Sequence, residues 1–199
     1  PTSEFYQRQK LLATMQLMYL GAPMIYSGDE VGMFGADDPS CRKPMLWPEL
    51  MPYDSPDDRI EKEVLEHYRR LIAIRNTYPA LQLGTFETLA CKDDLGVFAF
   101  ARSLNGKTVA VVINNSSQSH RLDVPSPWPD GATIARLDDP KEADLLMPSK
   151  HQPAARPMIR PKKLARPHVR VEEGRLRGLI LPPYTAAILT LADDSPTAH

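Results

Sequence analysis

The chain is poor in cysteine, in long apolar runs and in net charge. Two cysteines, Cys41 and Cys91, exclude a disulfide framework and a cysteine-rich metal cluster. They suit a reducing compartment, which favours the cytoplasm. No apolar run approaches the roughly 20 residues a helix needs to cross a bilayer, so no membrane partner is expected. Lys and Arg total 24 against 25 Asp and Glu, a balance that gives the whole chain no field for a polyanion. Nucleic acid is therefore not expected as a partner. The histidines, His67, His120, His151, His168 and His199, include no pair at metal-ligand spacing, and neither a metal nor another cofactor is expected. Pro1 is not followed by the charged and apolar regions of a signal peptide, and the chain reads as a piece of a longer protein.

What is present falls into two patterns. The first is helical. Leu11, Met15 and Met18 form one apolar stripe, with Leu12 and Tyr19 beside it, so a helix is expected from Glu4 to Leu20. Gly21 suits a left-handed cap and Pro23 stops the helix. Pro23 to Ser27 reads as a short strand buried on both faces. A long connection, rich in Gly, Pro and Asp, runs from Gly28 to Ser55. Such loops are often functional. Ser55, Pro56, Asp57 and Asp58 carry the signals of a helix start. That second helix should end at Tyr78-Pro79, with His67 on its solvated side.

The second pattern has period two. Strands are expected at Thr85–Cys91, Leu95–Ser103, Lys107–Asn114, Ser119–Val124, Ala132–Arg136, His168–Val171, Leu176–Leu181 and Thr185–Leu191. Asn105-Gly106 marks a tight hairpin. Short strands with frequent turns suggest a β-sandwich. Residues 148–170 hold seven basic side chains, no acidic one and five prolines, and read as an exposed excursion from it. They lack the interleaved aromatics that single-stranded nucleic acid requires.

The loop from Gly28 to Trp47 concentrates the chemistry. Asp29-Glu30 and Asp37-Asp38 are adjacent acid pairs. Retaining glycoside hydrolysis needs two carboxyl groups converging about 5–5.5 Å apart on one bond. Neighbours in extended chain point to opposite faces, so neither pair serves as that couple. For Asp38 and Arg42, four positions apart, a local ion pair within the loop is the plainer reading. Trp47 could stack on a sugar, although packing is the commoner fate of such a residue, and Tyr26 reads as core.

Residues 21–47, Gly-Ala-Pro-Met-Ile-Tyr-Ser-Gly-Asp-Glu through Asp-Pro-Ser-Cys-Arg-Lys-Pro-Met-Leu-Trp, resemble the last barrel strand and following loop of the α-amylase superfamily of glycoside hydrolases. The resemblance is nearest to the cyclomaltodextrinase, neopullulanase and maltogenic amylase group. It covers residues 4 to about 115, the second helix included, and resumes at Leu181-Pro182-Pro183-Tyr184-Thr185-Ala186-Ala187-Ile188-Leu189. It departs at Ser27, where the family often has a second Tyr.

The resemblance implies a fold of class α/β plus all-β. The C-terminal elements of a (β/α)8 barrel would fill residues 1–82. An antiparallel β-sandwich domain would fill 83–192, with a tail at 193–199. It also implies roles. Tyr26, Gly28, Asp29 and Glu30 would shape the catalytic end. Asp38 and Arg42 would hold hydroxyls of an α-glucan or maltooligosaccharide on the donor side. The family's reacting carboxylates lie upstream of this strand, so no catalytic residue is expected here and the fragment alone should be inactive. Apolar faces made for missing neighbours should promote self-association. A non-catalytic carbohydrate-binding or structural sandwich module is the alternative. It would require exposed aromatics, for which Phe86, Phe98, Phe100 and Trp128 are the candidates.

Overall fold

A computed structural model describes residues 2–55, 57–138 and 169–193. Nearly all of the basic stretch 148–170 and most of the 193–199 tail lie outside the described residues. Helix α1 spans Ser3–Met18, α2 spans Lys62–Thr77, and a single turn, α3, spans Ala80–Leu83. The strands are β1 (Thr85–Lys92), β2 (Val97–Leu104), β3 (Lys107–Asn114), β4 (His120–Pro125), β5 (Ile134–Arg136), β6 (Arg170–Glu172), β7 (Arg175–Leu181) and β8 (Thr185–Leu191). They form a five-stranded sheet ordered β1-β2-β3-β8-β5 and a three-stranded sheet ordered β4-β7-β6. All strand pairs are antiparallel.

The larger sheet is the middle of three layers, and strand alternation explains how. Val109, Val111 and Ile113 of β3 join Phe100 and Ile188 in a core shared with Leu11, Leu17 and Met18 of α1 and Val64, Tyr68, Leu71 and Ile74 of α2. Ala110 and Val112, one residue out of phase, face the other way. They pack with Ala99, Ala187 and Leu189 against Leu122, Val124, Leu176 and Leu181 of the smaller sheet. Strand β3 is thus apolar on both faces, as its unbroken apolar run Val109–Ile113 requires. Asn105 and Gly106, with φ of 51° and 78°, make the two-residue hairpin turn that joins β2 to β3.

Three expectations fail, each for a physical reason. Residues 22–26 form no strand, because no strand among the described residues lies alongside to complete a ladder. Ile25 still packs on the helical core, while Met24 and Tyr26 stand exposed. The second helix begins at Lys62 rather than near Ser55. Ser55 instead closes a local turn, its Oγ accepting from Asp57 N–H and its carbonyl from Asp58 N–H. His67 is not solvated. It lies against α1, its Nε2 2.9 Å from both Thr14 Oγ1 and the Lys10 carbonyl. No helix among the described residues is long and apolar enough to cross a membrane.

Candidate functional site

The loop after α1 is built as two tight turns on a tethered base. Gly28 adopts a left-handed conformation, with φ of 102°. Its carbonyl accepts from Val31 and Met33 N–H, and its own N–H donates to Glu30 Oε2 at 2.9 Å. A Cβ at this position would stand 2.7 Å from Met33 Sδ, so both the backbone angle and the space call for glycine. Glu30 is thereby occupied in closing its own turn. Asp29 is half-buried, and burial, followed by the charge of Glu30, raises its pKa above the ordinary carboxylate value. Tyr68 of α2 is pushed up to about 12, first by burial and then by the charges of Asp29 and Glu30. The two acids therefore sit near the base of the loop, over the helical core.

Side chains that sequence reasoning missed fasten this turn. Gln9 Nε2 donates to the Asp29 carbonyl at 2.8 Å. Tyr6 Oη donates to the Gly32 carbonyl at 3.4 Å. Glu61 N–H donates to the Val31 carbonyl at 2.9 Å. Gln9 and Tyr6 lie three apart on α1, a spacing that puts them on one helical face. That spacing is readable in the sequence, but what they touch is not.

The second turn spans Asp37–Arg42. Asp37 Oδ1 accepts from Asp38 N–H at 2.7 Å, Cys41 N–H donates to the Asp37 carbonyl, and Arg42 N–H donates to the Pro39 carbonyl. The Asp38-Pro39 peptide is cis. Arg42 Nε lies 3.1 Å from Asp38 Oδ1, with side chains 69% and 58% exposed. The structure thus brings the two predicted sugar-contacting groups together as a local ion pair. At that exposure such a pair contributes about 0–1 kcal/mol. A ligand that offers hydroxyls to both groups can replace it at little cost. The contact engages Nε and Oδ1, leaving the terminal guanidinium nitrogens and Oδ2 to other partners.

Two readings of the aromatics are corrected. Tyr26 is 52% exposed and Trp47 is 54% exposed, so neither is core. Tyr53 Oη donates to the Trp47 carbonyl at 3.0 Å. Beyond residue 84 the opposite holds, since Phe100 and Trp128 are buried and Phe86 and Phe98 pack on the helical core. Cys41 is an exposed free thiol. Among the described residues, no group of three or more His, Cys, Asp or Glu is placed to hold a metal ion.

No family model matches the chain. Comparison with curated proteins does find relatives. A cyclomaltodextrinase from Geobacillus thermopakistaniensis is 37% identical over 119 residues, which are 60% of this chain and 19% of that protein. Neopullulanase 2 from Thermoactinomyces vulgaris is 33% identical over 124 residues, 62% of this chain and 20% of the relative. The chain thus spans about a fifth of the length of these relatives. Among solved structures, an Anoxybacillus α-amylase superposes with a TM-score of 0.67 at 25% identity, over 97% of this chain and 33% of that one. Over about 60% of its length, then, this chain is homologous to enzymes named cyclomaltodextrinase, neopullulanase and maltogenic α-amylase, and its structural neighbours lie in the α-amylase family.

Proposed function

We propose that this chain is the carboxyl-terminal part of an α-glucan-acting retaining glycoside hydrolase. Residues 1–82 are the last elements of its (β/α)8 barrel, and residues 83–192 are its C-terminal β-sandwich. The observation that carries this reading is the Asp37–Arg42 turn. It presents an exposed carboxylate–guanidinium pair from a long loop at the end of an apolar segment that has no ladder partner among the described residues. Such a loop, following a barrel strand, lies on the catalytic rim.

In the intact enzyme the reaction is retaining hydrolysis of α-1,4 or α-1,6 glucosidic bonds through a glycosyl-enzyme intermediate. Both reacting carboxyl groups come from polypeptide outside this chain. Asp38 accepts from sugar hydroxyls and Arg42 donates to them, which holds the donor-side glucose units in register with the distant acids. Tyr26, Gly28, Asp29 and Glu30 shape the rim beneath. Gly28 and Glu30 do so by closing the turn, and Asp29 by lending its carbonyl to Gln9.

The test is substitution in the full-length polypeptide. Asp38→Ala and Arg42→Ala should each raise KM for maltotriose about tenfold or more, the loss expected for a charge-assisted hydrogen bond to substrate. Unchanged kinetics in both variants would refute the assignment. The module reading has no comparable support, because the sheet aromatics are covered.

A further inference from the structure

The segment between the loop and α2 grips the loop at two separate points. At the first, Glu61 N–H bonds the Val31 carbonyl. There Gly32 lies so close that an added Cβ would stand 2.9 Å from Glu61 Cβ. At the second, Lys43 Nζ meets Asp58 Oδ1 at 2.7 Å. This ion pair differs from its neighbour in sequence. Its side chains are 25% and 18% exposed, against 69% and 58% for Arg42 and Asp38. Solvent screens it less, so it holds geometry that the exposed pair cannot. Lys43 directly follows Arg42, and Leu46, three residues on, is buried. The carboxyl-terminal end of the Asp37–Arg42 turn is therefore fixed to the segment that leads into α2.

We infer that Lys43 and Asp58 are positioning residues for substrate binding, a strut that sets where the Asp38–Arg42 turn stands on the donor side of the sugar site. The inference rests on the functional reading above. Neither residue touches sugar. Without the strut the turn samples positions from which Asp38 and Arg42 miss the hydroxyls. Apparent affinity falls in proportion to the fraction still competent. The reacting groups stand elsewhere, so the chemical step is unaffected once substrate is bound.

The experiment compares Lys43→Met, Asp58→Asn, Lys43→Arg and the double exchange Lys43→Asp/Asp58→Lys in the full-length polypeptide, with Arg42→Ala as reference. Lys43→Met and Asp58→Asn should raise KM for maltotriose about three- to tenfold with kcat within about twofold, the signature of lost uniform binding. Lys43→Arg should keep KM near the parent value, and the double exchange should recover most of the loss. If Arg42→Ala raises KM while Lys43→Met and Asp58→Asn do not, the strut is refuted and the functional reading stands. If Arg42→Ala and Asp38→Ala also leave KM unchanged, the functional reading fails and takes the strut with it. A fall in kcat matching the rise in KM, without rescue by the exchange, means general damage and overturns the proposal. A second readout needs no turnover. Hydrogen exchange in the 199-residue chain should speed up at the Cys41 and Arg42 amides in Asp58→Asn and stay constant along β3. Unchanged exchange at those amides would also overturn it.

Discussion

His67 sits on the face of α2 that turns toward α1, and its surroundings decide its protonation. A backbone carbonyl only accepts, so the Nε2 beside the Lys10 carbonyl carries the proton of a neutral ring. Burial lowers its pKa from 6.5 to about 4, the Lys10 carbonyl opposes the shift, and Arg70 and Lys10 add to it. Asp138 pulls the other way. A folded-state pKa below the unfolded one gives stability that is complete above pH 6.5 and is lost as pH falls toward 4. The loss amounts to at most about 3 kcal/mol. Urea midpoints measured across that window should fall in the parent chain. They should fall less in His67→Leu, and parallel curves would show that His67 is not the titrating group. Helical spacing alone puts His67 on the polar side of its helix. It cannot reveal that Thr14, a polar residue in the apolar stripe of α1, stands opposite.

At the scale of elements, two arginines converge on the end of α1: Arg102 ties it to the larger sheet, and Arg75 ties it to α2. Arg102, in the middle of β2, is only 1% exposed. Its guanidinium donates to the carbonyls of Tyr19, Leu81, Gly84 and Thr85, each at 3.0 Å. Arg75 of α2 donates to Leu17 at 2.6 Å and to Gly21 at 2.7 Å. Among the described residues neither forms an ion pair. Both instead sit at the carboxyl-terminal end of α1, where orphan carbonyls and the negative end of the helix dipole stand in for a counter-ion. Burial lowers both pKa values, and Arg75 adds to the effect on Arg102. Arg102→Leu should therefore destabilise the chain by about 3 kcal/mol or more, since it strands several buried carbonyls at once. Arg102→Lys should recover part of that loss. A thermal scan in which Arg102→Leu melts with the parent would contradict this account.

Much of the element order is legible in the sequence, for reasons these residues show. Strands β3 and β8 are readable at their observed bounds, since short apolar runs flanked by turn residues admit few alternatives. The start of α2 is not, because Ser55 through Asp58 can form a capping box or a simple turn, and tertiary contacts choose the turn. Of the site, Asp38 and Arg42 are legible as types, and their pairing is the plainer of the two sequence readings. Their tether joins Lys43 and Asp58, which stand 15 positions apart in the chain. No periodicity links such positions.

Considered whole, the chain's surface is lopsided. Of the large apolar side chains that stand exposed among the described residues, all but Leu83 and Ile180 lie within the first 72 residues. They include Leu12, Met24, Tyr26, Trp47 and Met51. Where such side chains adjoin, they make the kind of surface that another element or chain covers. In the proposed architecture the remaining barrel elements cover it. The isolated chain should therefore self-associate, and light scattering should give a mass above 22.3 kDa that rises with concentration. A monodisperse monomer at high concentration would count against the barrel-edge assignment.

The central claim is that this chain carries a sugar-holding turn while the bond-breaking acids belong to other polypeptide. It is tested most directly by incubating purified residues 1–199 with maltotriose or a cyclodextrin and measuring reducing ends. The account predicts none above the uncatalysed background. Reproducible turnover that co-purifies with the chain and disappears in Asp29→Asn or Asp38→Asn would place the reacting acids here and contradict it.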